Sequence, residues 1–121
     1  MISVQPTGRK LSDEEFAQEV FRRLNIAKWQ GYSGNQSNAV VYVGDAAGIE
    51  VALGYNEEDG KGLYAFGVCL KPKVAFGDTD YLVEHARNLA KQWSLSGWRC
   101  FVPREGLYEI TNYEDGYHYA A

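Results

Sequence analysis

From Ile49 to Tyr55 the chain alternates without a break: Ile49, Val51, Leu53 and Tyr55 fall on one side of an extended backbone, and Glu50, Ala52 and Gly54 on the other. Successive side chains of a strand point to opposite faces, so the segment reads as a strand with one bulky, buried face. Such a strand needs hydrogen-bonded neighbours and a layer of structure over its bulky side. This requirement organises the rest of the reading.

The neighbours are at hand. Ala39 to Val43 is short and rich in valine, and Gly44-Asp45-Ala46-Ala47-Gly48 between the two runs reads as a turn. On the other side, Asn56 to Gly62 is an acidic turn, and Leu63 to Leu70 is a third strand with Tyr64, Phe66, Val68 and Leu70 on its bulky face. Short connections predict an antiparallel meander. Residues 30–38 are polar and rich in Gly, Asn and Ser, and read as a loop. Trp98 to Val102 and Leu107 to Thr111 read as a fourth and a fifth strand, separated by the turn Pro103-Arg104-Glu105-Gly106. Tyr113 to Ala121 is an aromatic, acidic tail with no clear periodicity.

Two helices supply the covering layer. Ser12 followed by Asp13, Glu14 and Glu15 is a capping box, and Leu11 and Phe16 stand at the two positions of a hydrophobic staple. Phe16, Val20, Phe21 and Leu24 then recur at helical spacing, Arg22 and Arg23 suit the negative end of the dipole, and Asn25 is the expected stop. The second helix is expected over Thr79 to Trp93, capped by Asp78 or Thr79, with Leu82, Ala86, Leu89, Ala90 and Trp93 as its apolar stripe. The expected architecture is one α+β domain over residues 1–121, in the order α-β-β-β-α-β-β. It has a single antiparallel sheet of about five strands and both helices on one face.

With 45% hydrophobic and 23% charged residues the chain has a globular composition. Its first ten residues lack the apolar core of a secretory signal, and no apolar run is long enough to span a membrane, so a cytoplasmic protein without membrane contact is expected. The net charge is -4, and residues 31–60 and 105–121 contain acidic groups but no Lys or Arg. Nucleic-acid binding needs a basic patch for phosphate contacts, which this distribution disfavours; a basic protein partner fits better. Cys69 and Cys100 lie in apolar runs and read as buried, reduced thiols.

No motif names a reaction. Glu84 and His85 are adjacent on the second helix, so they point about 100° apart and do not converge. Neither cysteine stands at a helix start beside a base, and two Cys with two His do not form a zinc pattern. Gly31 and Gly34 precede a strand rather than opening a helix, unlike a phosphate cradle. No catalytic residue, cofactor or metal ligand is assigned.

One pattern points to binding. Ala52 and Gly54 on one strand, and Ala65 and Gly67 on the next, lie opposite the bulky face and form a smooth strip. Glycine weakens a strand unless another surface approaches closely, so the strip is expected to be covered, by the aromatic tail or by a second subunit. Glu57, Glu58 and Asp59 beside it, and Tyr113, Tyr117 and Tyr119 in the tail, complete a candidate partner surface, because tyrosine offers contact area at low entropic cost. The expected function is that of a small acidic, non-enzymatic protein-binding module, for a basic or aromatic-accepting protein partner or a second copy of itself.

The element order is similar to that of the class I type III secretion chaperones, which are also small, acidic and dimeric; this resemblance is one of fold, and that fold's final helix has no counterpart here. Toxin-neutralising immunity proteins share the size and charge. The alternative expectation is a small-molecule-binding or enzymatic domain, with a pocket between the sheet and the 30–38 loop lined by Trp29, Tyr32, His85 and Trp93.

Overall fold

Ser12 caps the first helix as its sequence dictates. Its hydroxyl accepts from the Glu15 amide at 3.2 Å, and the Glu15 carboxylate accepts from the Ser12 amide at 3.1 Å. Asn25, just past the end, takes the left-handed conformation at φ 57°, a role asparagine tolerates better than most residues. The structure, a computed structural model, describes residues 1–33, 40–55, 63–73, 80–104, 113 and 115–120. In chain order the elements are β1 (Ile2–Gln5), α1 (Asp13–Arg23), β2 (Trp29–Ser33), β3 (Val40–Ala46), β4 (Ile49–Tyr55), β5 (Phe66–Pro72), α2 (Asp80–Leu95), β6 (Arg99–Pro103) and β7 (Gly116–Tyr119).

The α+β class, the single antiparallel sheet and the two helices are as expected, but among the described residues the sheet has seven strands rather than about five. Its order is β2-β3-β4-β5-β1-β6-β7, with antiparallel pairing throughout. The element order becomes β-α-β-β-β-β-α-β-β, so the order on which the chaperone resemblance rested does not hold. Three strands account for the difference. Ile2 to Gln5 is too short to show a period, yet it occupies the centre of the sheet between β5 and β6. Gln30 to Ser33, the start of the expected polar loop, belong with Trp29 to β2, which pairs along its length with β3. The tail forms β7 on β6. The strand expected at 107–111 lies outside the described residues.

Both helices cover one face. Ile2 and Val4 of β1, Val51 and Leu53 of β4, Phe66, Val68 and Leu70 of β5, and Cys100 and Val102 of β6 form a common core with Phe16, Val20 and Phe21 of α1 and with Leu82, Ala86, Leu89 and Trp93 of α2. Phe16, Val20, Val51, Leu53, Phe66, Val68, Leu82, Ala86 and Leu89 are in the core as expected, with Leu24 and Ile49 at its margin; Tyr55, at the end of its strand, is exposed, and Tyr64, which precedes β5, joins a separate cluster with Phe101 and Tyr113. Phe16 stacks on Phe66 with ring centres 4.1 Å apart, and Trp93 meets Trp98 edge to face at 5.8 Å. At the open end of this layer Arg23 lies 3.7 Å over the Trp98 ring while bonding Glu19. Among the described residues no helix is long and apolar enough to cross a membrane.

Candidate functional site

Residues paired across a sheet share a face, so the register defines the side opposite the helices. One row of this outer face runs Tyr32, Val41, Gly54, Gly67, Ser3, Phe101, His118; a second runs Gln30, Val43, Ala52, Cys69. A third row, Asp45, Glu50 and Lys71, borders them with charge, and Lys73 closes on Asp45 at 2.9 Å.

The two halves of this face differ. Over β6 and β7, Tyr64, Phe101 and Tyr113 form a small second core. His118 lies against Phe101 with ring centres 4.7 Å apart. Its Nε2 donates to the Tyr113 carbonyl at 2.7 Å, which leaves Nδ1 as acceptor for the Tyr64 hydroxyl at 3.4 Å. Over β2, β3 and β4 there is no such cover among the described residues. Tyr32 is 53% exposed and Val41 44% exposed, and Val43, Ala52, Gly54 and Cys69 are half-buried.

The expected partner residues separate accordingly. Ala52 and Gly54 lie on the open half, and Gly67 pairs with Gly54 on the same face at its margin. Ala65 is not with them: it precedes β5, packs at the margin of the main core, and donates its amide to the Gln5 side chain at 2.9 Å. The described residues of the tail do not cover the strip either. Tyr113 joins the second core, and Tyr117 lies under Arg87 at 3.8 Å. Tyr119 reaches the main core and accepts from the Arg87 guanidinium at 2.9 Å. Met1 instead lies over Gly67, where an added Cβ would stand 2.9 Å from its methyl carbon. Glu57, Glu58 and Asp59 lie outside the described residues.

The four residues named for the alternative pocket are dispersed among the described residues, and residues 34–38 of its loop lie outside them. Trp29 stacks on Phe21 at 5.2 Å on the helix side, Trp93 is buried against Trp98, His85 is half-buried on α2, and Tyr32 points to the outer face. A groove of about 740 Å³ lies elsewhere, between the 6–12 segment with the start of α1 and the strands, lined by Gln5, Arg9, Glu14, Tyr42, Tyr55 and Phe66. Burial, with Glu14 and then Asp13 nearby, raises the Tyr42 phenol above its usual range. Sequence reasoning missed this groove because its walls come from the 6–12 segment, the start of α1 and four strands, β1, β3, β4 and β5.

Cys100 is buried in the core, and desolvation pushes its thiol up to about 12, far from thiolate chemistry at neutral pH. Cys69 is half-buried on the outer face, so only one of the two thiols has the full burial expected. Among the described residues no three of His, Cys, Asp and Glu stand together in a way that could hold a metal ion. No family model, curated protein or solved structure matches this chain.

Proposed function

We propose that the chain is a small protein-binding module whose binding surface is the open half of the outer sheet face. The observation that carries this reading is the exposure of Val41 and Tyr32 beside the smooth patch of Val43, Ala52, Gly54 and Cys69, with a charged border at Asp45, Glu50 and Lys71. An apolar centre with a polar rim is the usual anatomy of a protein interface. The flat, small-residue surface suits a partner that lays a broad apolar or aromatic surface across the strands. The net charge of -4 favours a basic one.

The test is capture from lysate of the native host with the full chain as bait, followed by identification of the bound protein by mass spectrometry. Val41→Asp with Ala52→Asp should abolish capture, Gln18→Asp on the exposed side of α1 should not, and bound partner should protect Cys69 from a thiol reagent. Capture that survives Val41→Asp with Ala52→Asp, or leaves Cys69 labelling unchanged, would place binding elsewhere. A second reading, a small-molecule site, is favoured by the groove beside Tyr42. A metabolite that raises the melting temperature of the wild-type chain, but not of a Gly8→Trp chain with its groove blocked, would support that reading.

A further inference from the structure

The two edges of the sheet are treated differently. At β7, Arg87 lies over Tyr117 and bonds the Tyr119 hydroxyl, and Arg104 pairs with Asp115 at 2.7 Å. Charge at an edge discourages another strand from adding to it. At β2 none of these devices is present. Gln30, Gly31, Tyr32 and Ser33 are all exposed, among the described residues β2 pairs with β3 alone, and from Trp29 to Gly44 the sequence contains no charged residue and no proline. A regular edge of this kind presents unpaired backbone donors and acceptors to any strand that fits.

We infer that β2 is a self-association edge, and that two copies of the chain pair β2 to β2, antiparallel, across a two-fold axis at Gly31. Three observations select a second copy as the occupant. First, the strand is self-complementary in that register: Gln30 meets the partner's Tyr32, and Trp29 meets the partner's Ser33, so each face of the joined sheet continues. Tyr32 and Gln30 already bond each other within one chain at 3.1 Å, so the same two groups can exchange that bond across the axis. Second, the residue on the axis is glycine. Its missing side chain leaves room for the Tyr42 ring, which a Cβ at residue 31 would approach to 3.0 Å, and nothing projects at the point where the backbones meet. Third, each copy carries a net charge of -4, and the uncharged stretch from Trp29 to Gly44 is where two such molecules can approach without like charges in contact. Pairing also joins the two open outer faces edge to edge. The inference goes beyond the partner-binding reading and does not depend on it.

Sedimentation of the full chain from about 1 μM to 1 mM tests it, a range that covers weak and moderate association. A reversible monomer–dimer equilibrium is expected. Gln30→Lys with Tyr32→Lys sets lysine opposite lysine twice across the axis and should raise the dissociation constant about tenfold or more, even though it lowers the overall negative charge. Gln30→Lys with Tyr32→Glu sets opposite charges across the same axis and should restore the dimer. Far-UV circular dichroism and the urea midpoint of each variant report whether the monomer is still folded. A wild-type chain that stays monomeric over the range, or a dimer indifferent to the double lysine change, overturns the inference; a Lys/Glu chain that stays monomeric overturns pairing about Gly31. Tyr32 also belongs to the proposed partner surface, so the separating variant is Val41→Asp with Ala52→Asp, which leaves β2 unchanged and should abolish partner capture while the monomer–dimer equilibrium persists.

Discussion

Gly54 of β4 and Gly67 of β5 are direct cross-strand partners at the middle of the outer sheet face, and different neighbours fill the space each leaves. A Cβ at residue 67 would press on the end of the flexible Met1 side chain at 2.9 Å, which can swing aside; a Cβ at 54 would stand 3.0 Å from the Val40 carbonyl oxygen, which is fixed in the sheet. Gly67→Ala should therefore be close to neutral or stabilise by up to about 1 kcal/mol, through the unfolded chain and strand preference. Gly54→Ala should destabilise by roughly 1–3 kcal/mol. Urea midpoints of the two single variants decide the matter. Equal effects would mean that the two glycines answer one common constraint.

The same strands show what could be read from sequence and what could not. The faces of β4 and β5 were legible because Val51, Leu53, Phe66 and Val68 alternate over a full strand length, and the capping box at Ser12 was legible because its partners are local. Gly44 falls in the expected turn 44–48, yet it is a buried β3 residue. A Cβ there would come within 2.9 Å of both Phe21 and Ile26, so it is glycine to let α1 close on the sheet. That constraint is tertiary and leaves no local trace. β1 was invisible for a related reason: Ile2 and Val4 acquire meaning only once β5 and β6 arrive from later in the chain. The open half of the outer face was partly legible, as a run of small residues. Which half would be covered depended on Tyr113 and His118, whose positions follow from β7 adding to β6.

The cap at α1 makes stability depend on pH in a definite direction. Bonds from the Ser12 amide and hydroxyl, and then from Arg9, hold the Glu15 carboxyl below its usual value of 4.5. A group with a depressed folded pKa stabilises above its unfolded pKa, and the contribution is lost as pH falls through the lowered value. Ser12→Ala should cost about 1 kcal/mol at neutral pH. Glu15→Gln should lose most at neutral pH, and its difference from wild type should shrink as pH is lowered past 4.5. Urea titrations at several pH values check this; a difference that grew on acidification would assign the capping role to another group.

The β3–β4 hairpin holds a residue that its backbone disfavours. Ala46 pairs with Ile49 across a two-residue turn, in which Ala47 has φ 50° and Gly48 φ 80°. Positive φ at both central positions is the I′ turn, whose twist matches the strands and whose preferred sequence is Asn-Gly. Ala47 is exposed, so its replacement removes no packing. Ala47→Asn should stabilise the chain by about 0.5–1 kcal/mol through relief of left-handed strain. Thermal melting would show a raised midpoint, and Ala47→Val a lowered one, since a β-branched residue tolerates positive φ least.

The two thiols should report on different parts of the molecule. Cys100 is fully buried between β1 and the edge strand β7, paired with Val4 on one side and Tyr119 on the other, and burial holds its thiol near 12. A reagent that attacks through thiolate must wait for the core to open. Cys69 is half-buried on the outer face opposite Ala52, with no helix over it. With excess thiol reagent at pH 8, one equivalent should add to native protein at Cys69, and the second only at a rate that rises with urea. Peptide mapping assigns the sites. Cys100→Ser should remove the slow phase and Cys69→Ser the fast one. Fast addition at Cys100 in the native chain would show that the sheet opens between β6 and β7, and that β7 is held to the core less firmly than Tyr119 and Arg87 imply.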